Sequence, residues 1–129
     1  VLDTMEFLAA GGRCPTLVAY LGGKLNCRPG ILVDNQSGAM KVGKLYRGKQ
    51  VKVLERYVND TLARYPDIVK DEIFITHSGA SDEIAADVRA MLEERGFRTI
   101  YTTTASCTIS SHCGPGTLGI LFMTETPSA

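Results

Sequence analysis

The sequence predicts a two-layer α/β sandwich, in which a mixed sheet of about five strands is covered on one face by helices. Three observations carry this prediction. A strand, a helix and a second strand follow one another over residues 73–103, two apolar runs flank the turn at 35–38, and a further apolar run occupies 117–123. We expect the hairpin to add antiparallel edges to the sheet.

The first elements are predicted to be two short helices. Asp3 and Glu6 form a capping pair, and Gly11 and Gly12 end the helix over 3–10. A second helix begins near Pro15. Arg13 therefore lies at the bend between the two helices.

A hairpin and a long helix follow. The apolar run in 29–34 and the alternating residues of 39–46 predict two strands, with turn residues between them. Residues 48–64 then carry apolar side chains at helical spacing, and Pro66 follows that helix.

The second half of the chain alternates strands with a helix. Residues 73–78 predict a strand, Ser81 caps a helix that Gly96 ends, and residues 97–103 predict another strand. A unit of this length normally makes a right-handed crossover between parallel strands. Residues 117–123 supply the last strand.

The composition limits the class of protein. A chain of 129 residues with 44% hydrophobic and 22% charged residues is typical of one soluble globular domain. Fourteen basic and fourteen acidic side chains cancel, so no nucleic-acid partner is expected. No apolar run reaches the length of a transmembrane segment and no signal peptide opens the chain, so we expect a cytoplasmic location.

The cysteines and histidines do not predict a metal site or a cofactor. Four cysteines without a secretion signal are expected to be reduced, and none forms a C-x-x-C pair. The glycine-rich stretches match neither the dinucleotide nor the P-loop spacing. The cysteines are Cys14, Cys27, Cys107 and Cys113.

The stretch Ser-Ser-His-Cys-Gly-Pro-Gly, residues 110–116, is the main candidate for chemistry. His112 has two interpretations: a hydrogen-bonded structural histidine, or a donor beside a tight bend with free N–H groups that binds a carboxylate or phosphate. Cys113 raises the alternative of a small enzyme that depends on cysteine and histidine. In an extended segment the two side chains would point to opposite sides, which disfavours such an enzyme.

Five basic residues lie within twelve positions of the hairpin and the following helix: Lys41, Lys44, Arg47, Lys49 and Lys52. A solvated lysine-rich face explains such a cluster. A docking patch in a purely structural or interaction domain is the alternative.

Four segments together resemble the C-terminal half of a DegV family protein. They are Leu-Asp-Thr-Met-Glu-Phe-Leu running into Gly-Gly-Arg (2–13), Leu-Gly through Asn-Cys-Arg-Pro-Gly-Ile-Leu (21–32), the basic segment 44–49, and Ser-His-Cys-Gly-Pro-Gly-Thr-Leu-Gly (111–119). Their order and spacing agree along nearly the whole chain.

The resemblance implies a lipid-binding protein and not an enzyme. Similar proteins hold a long-chain fatty acid between two domains and present its carboxylate to a fatty acid kinase. By motif, His112 falls on the family's carboxylate-holding histidine, and we expect Ser111, Gly114 and Gly116 to surround the ligand. Arg13 and Arg47 fall on arginines associated with the kinase-facing surface.

The resemblance also implies that residues 1–129 are a single domain of a two-domain protein. The family's N-terminal DegV domain, which carries further carboxylate-gripping residues, has no counterpart in this sequence. The start at Val1, without an initiator methionine, agrees with that expectation.

Overall fold

A computed structural model describes residues 27–34 and 36–125 of the chain. The helices predicted over 3–10 and near Pro15, together with Arg13, lie outside the described residues. The described elements are β1 (Cys27–Val33), β2 (Met40–Arg47), α1 (Gln50–Arg64), β3 (Ile68–Ser78), α2 (Asp82–Glu94), β4 (Thr99–Thr104), α3 (Cys107–Cys113) and β5 (Thr117–Thr124).

The predicted α/β class is confirmed, but the described strands form two sheets instead of one. Among the described strands, β1 and β2 pair only with each other, as an antiparallel hairpin, whereas the second sheet has the order β4-β3-β5. In it β3 is parallel to β4 and antiparallel to β5, which confirms the predicted parallel pair. The expectation that the hairpin joins the larger sheet was wrong, because pairing between strands distant in sequence depends on tertiary packing.

Local chemistry explains several element boundaries, although β3 begins at Ile68 and not at residue 73 as predicted. The turn of the hairpin is fixed by Asp34, whose carboxylate accepts hydrogen bonds from the Gln36 amide at 2.9 Å and the Ser37 hydroxyl at 2.8 Å. Ser81 caps α2 by accepting from the Ile84 amide at 3.3 Å. Gly96 follows α2 with a positive φ of 88°.

The three-stranded sheet has one packed face and one exposed face. Ile73 and Ile75 of β3 point toward α1 and α2 and are fully buried. Because successive strand residues face opposite sides, the residues between them point away from the helices. The core is built from Tyr46, Val53, Leu54, Val58, Ile73, Ile75, Val88, Leu92, Phe97, Ile100, Leu118 and Ile120.

Helix α3 was not predicted from the sequence. Residues 107–113 lack an apolar stripe at helical spacing, and they include β-branched Thr108 and Ile109, which are weak helix formers. Its start is set by Ser106, whose hydroxyl accepts from the Ile109 amide at 3.3 Å. Tertiary position and this cap thus decide the conformation.

Among the described helices, none combines the length and the hydrophobicity that a membrane span requires.

Candidate functional site

The bend over residues 110–116 meets the C-terminal end of β3. Since α3 connects β4 to β5, and these strands flank β3, the connection crosses the end of β3. The Gly116 amide donates to the Ser78 carbonyl at 2.7 Å, and the Ala105 amide donates to the His77 carbonyl at 2.8 Å. Residues 77–79 and 110–116 therefore form one cluster, which we call the loop cluster.

The start of α1 is tied to the same cluster. The Gln50 Nε2 donates to the Gly116 carbonyl at 3.0 Å. Arg47, the last residue of β2, precedes Gln50 by three positions and its side chain is exposed. Arg47, to which the family resemblance gives a partner-facing role, thus lies three residues before the residue that contacts the Gly-Pro-Gly bend.

The Gly-Pro-Gly bend has the expected tight geometry but not the expected free donors. Gly114 and Gly116 have positive φ values of 82° and 80°, a conformation that favours glycine. The Gly114 amide donates to the Ser110 carbonyl at 2.9 Å, and the Gly116 amide is taken by Ser78. The expectation of free N–H groups at the bend was wrong, because the Gly114 amide closes the last turn of α3 and the Gly116 amide binds the end of β3. A ligand-binding role for either glycine stays a prediction.

Ser111 and His112 lie in the last turn of α3. The Ser111 hydroxyl donates to the Cys107 carbonyl one turn earlier, at 2.7 Å, and the residue is exposed. The backbone of His112 is helical, and its side chain lies outside the described part of the structure. The ligand-binding role of both residues stays a prediction.

Cys113 does not have the environment of a nucleophile. The segment is helical, so the expectation that it is extended was wrong. Burial raises the pKa of the half-buried Cys113 thiol. A nucleophilic cysteine needs the opposite shift, because the thiolate is the reactive form.

His77 is a polar residue whose environment the sequence did not predict. It is the penultimate residue of β3, aligned with Thr104 of β4 and Leu118 of β5, and its Nδ1 is buried without a hydrogen-bond partner in the described structure. Such an atom is uncommon in a folded protein. The neighbouring Ser78 is buried and its carbonyl accepts from the Gly116 amide, so both residues belong to the end of the strand.

The exposed face of the three-stranded sheet, which we call the outer face, carries an apolar row. Phe74 of β3 is aligned with Tyr101 of β4 and Leu121 of β5, and Met123 follows on β5. Their exposed fractions are 37%, 44%, 53% and 64%. The Phe74 and Tyr101 rings stack with centroids 4.9 Å apart. A contiguous apolar row on an exposed surface is typical of a binding site.

The structure divides the apolar run 120–122 between the two faces. Ile120 is 8% exposed and Phe122 packs against the core from the helix side, where its ring meets Tyr65 edge-on at 5.3 Å. Only Leu121 points to the outer face. The alternation of strand residues predicts that Leu121 faces away from Ile120 and Phe122. The sequence does not show which of the two faces the helices cover.

Two lysines of the basic cluster form ion pairs with carboxylates of α1. The Lys44 ammonium lies 2.9 Å from the Asp60 carboxylate, and the Lys52 ammonium lies 3.5 Å from Glu55. The Arg56 guanidinium donates to the Arg47 carbonyl, which joins α1 to the end of β2. Arg47 and Lys49 have exposed side chains at this end of the molecule. Both interpretations of the cluster, solvated face and docking patch, stay open.

A family model described as an uncharacterised protein of the DegV family matches residues 1–125. Among curated proteins, a DegV domain-containing protein of Lactococcus lactis, YteA, is 32% identical over 129 residues, covering 97% of this chain and 42% of the relative. The chain thus spans less than half the length of the curated relatives it matches.

Solved structures of the same family share the fold. One described as fatty acid binding of a DegV family protein from Thermus thermophilus has a TM-score of 0.73 and 26% identity, covering 92% of this chain and 42% of that one. A DegV lipid binding protein from Thermotoga maritima has a TM-score of 0.72 and 19% identity, covering 97% of this chain and 42% of that one. The motifs, the fold and the match over nearly the whole sequence agree: the chain belongs to the DegV family.

Proposed function

We propose that this chain is the C-terminal domain of a two-domain protein that binds a long-chain fatty acid and presents its carboxylate to a fatty acid kinase. In this proposal the protein is a carrier in the cytoplasm and not an enzyme. The single observation that carries it is the apolar row of the outer face, on a sheet whose other face is already filled by helices.

The chemistry of an acyl chain matches this surface. Burial contributes about 0.8 kcal/mol for each methylene group, so most of the affinity would come from contact with the apolar row. The stacked pair Phe74 and Tyr101 offers a broad apolar surface, and Leu121 and Met123 extend it across β5. The relatives' additional length supports a second domain that covers the ligand from the other side.

The polar end of the site supports the same proposal. The loop cluster lies beyond the apolar row, at the C-terminal end of β3. Gln50 contacts this cluster, and Arg47 lies three residues before Gln50. A fatty acid with its tail on the outer face and its head toward the loop cluster would expose its carboxylate beside Arg47. We propose that Arg13 and Arg47 contact the kinase, and that His112 and Ser111 help to hold the head group.

A charge on the apolar row tests the proposal. In the full-length protein, Leu121→Asp should weaken binding of a C16 fatty acid at least tenfold, because a carboxylate would then face the acyl chain. Binding is measured by titration with a fluorescent fatty acid, and native mass spectrometry reports the lipid that copurifies.

The matched control is Val33→Asp, which places the same charge on an exposed apolar residue of the hairpin. It should leave the affinity within about twofold of wild type, since single exposed apolar residues on the surface rarely matter. A well-folded wild-type protein that never binds fatty acid would refute the proposal. Equal effects of the two substitutions would refute the role of the outer face.

A further inference from the structure

The outer face has a second row, of hydroxyl groups, next to the apolar row. Thr76 of β3 is aligned with Thr103 of β4, and their Oγ1 atoms are 2.8 Å apart. Each residue follows the aromatic residue of its own strand by two positions, so the pair lies on the same face as Phe74 and Tyr101.

This hydroxyl pair can donate to a ligand. When one hydroxyl donates to the other, the accepting hydroxyl keeps its own hydrogen for a further bond. On the β5 side the aligned residue is Gly119, where an added Cβ would meet nothing within 4 Å. The β5 position beside Thr76 therefore carries no side chain, and Thr103 is exposed, so a ligand on the apolar row would reach the pair.

The opposite side of the apolar row carries a negative charge. Glu72 precedes Phe74 by two positions, so it lies on the same face, aligned with Thr99, and it is exposed. A carboxylate placed at that end would meet a like charge, which is unfavourable. The two borders of the apolar row thus differ: one is acidic, and the other offers hydroxyl donors near the loop cluster.

We propose that the Thr76 and Thr103 hydroxyl pair is a binding element for the carboxylate end of the fatty acid, and that together with Glu72 it sets the direction in which the ligand lies. This inference rests on the proposed function and adds residues to its site. The tail extends over the aromatic pair and Leu121, and the head lies on the hydroxyl side.

The test compares a fatty acid with its methyl ester. In the full-length protein, the double variant Thr76→Val and Thr103→Val should weaken binding of a C16 fatty acid about tenfold, because a charge-assisted hydrogen bond is lost. Binding of the C16 methyl ester should change by less than about threefold, since the ester carries no charge and keeps its contacts with the apolar row. Valine favours strands, so the variant is expected to fold, and circular dichroism checks this.

Two further variants sharpen the result. Thr102→Val makes the same change in β4 on the helix side, where the Thr102 hydroxyl contacts Arg89, and it should leave both affinities unchanged. Glu72→Gln should alter fatty acid affinity by less than about twofold if the head lies on the hydroxyl side.

The outcomes separate the two proposals. If the wild type binds neither ligand, the proposed function fails. If the wild type binds the acid but the double valine variant loses nothing, or loses acid and ester equally, the hydroxyl pair does not hold the head group. A tenfold gain in acid affinity on Glu72→Gln would place the head at the acidic border and overturn the orientation.

Discussion

At the scale of single residues, Asp60 joins the hairpin to α1. Its Oδ2 accepts from the Lys44 ammonium at 2.9 Å and from the Tyr46 hydroxyl at 3.0 Å. The hydrogen bond from Lys44 is the main cause that lowers the pKa of the Asp60 carboxyl. Burial, followed by the hydrogen bond to Asp60, raises the pKa of the Tyr46 hydroxyl. The three groups thus join β2 to α1 by polar contacts, in addition to the apolar core that these two elements share.

Asp60 should make stability depend on pH in the acidic range. A carboxyl whose pKa is lower in the folded than in the unfolded protein stabilises the fold above the unfolded pKa, and this contribution is lost as the pH falls through the folded pKa. Asp60→Asn should therefore lower the free energy of unfolding by about 0.5–1 kcal/mol at pH 7, a small value because the pair is solvent-screened. Urea unfolding at pH 7 and pH 3 measures it, and the difference from wild type should shrink at pH 3.

The matched control for this prediction is Asp71→Asn. Asp71 lies 4.0 Å from the Arg98 guanidinium, and both side chains are highly exposed. It should leave the unfolding free energy nearly unchanged. A loss at Asp60 that is no larger than the loss at Asp71, or one that grows toward pH 3, would contradict the assigned role.

At the scale of elements, α3 and the bend after it form a connection held by glycine geometry. Gly116 has a positive φ of 80°, and its amide and carbonyl bind Ser78 and Gln50. Gly116→Ala should lower the free energy of unfolding by about 1–2 kcal/mol, because a side chain is disfavoured at positive φ. Thermal and urea unfolding measure the change.

Gly119→Ala is the control for Gly116. Gly119 lies within β5, is not among the glycines with positive φ, and has open space where the Cβ would stand. We expect no loss of stability, since alanine restricts the unfolded chain more than glycine does. Equal destabilisation by the two alanines would show that the bend does not depend on its left-handed geometry.

At the scale of the whole molecule, the fold places the apolar row and the exposed Arg47 on different parts of the surface. The helices fill one face of the sheet, and the apolar row remains on the other. The loop cluster lies at one end of the three-stranded sheet. Gln50 contacts it there, and Arg47 lies three residues before Gln50. The proposed lipid site and the proposed partner surface are thus adjacent but distinct.

This separation predicts that kinase recognition can be lost without loss of lipid. In the full-length protein, Arg47→Glu should reduce the phosphorylation of bound fatty acid by its kinase at least tenfold, because the charge at the contact is reversed. The affinity for fatty acid should stay within about twofold. Kinase assays at saturating fatty acid, beside a direct binding titration, measure the two properties.

Arg64→Glu is the control for Arg47. Arg64 is exposed at the far end of α1, about 20 Å along the helix from Gln50, given a rise of about 1.5 Å per residue. It should leave phosphorylation unchanged. Unchanged turnover with Arg47→Glu, or an equal loss with Arg64→Glu, would remove Arg47 from the partner surface.

The sequence by itself determined the class of the fold, the position of most described elements and the family. The alternation of β3 and β5 and the helical stripe of α1 are local patterns that follow from backbone geometry. The four motifs likewise need only order and spacing. The expected place of Gly114 and Gly116 at a tight bend is confirmed by their positive φ values.

Only the tertiary structure decided how these elements combine. Whether the hairpin joined the larger sheet and whether Gly116 kept its N–H group free depend on partners distant in the sequence, and the helix at 107–113 depends on tertiary position together with its Ser106 cap. The same holds for the outer face: Phe74, Thr76 and Leu121 show the alternation of any half-buried strand, and only the position of the helices determines that their side stays exposed. Packing between distant segments selects among conformations that local preferences leave close in energy.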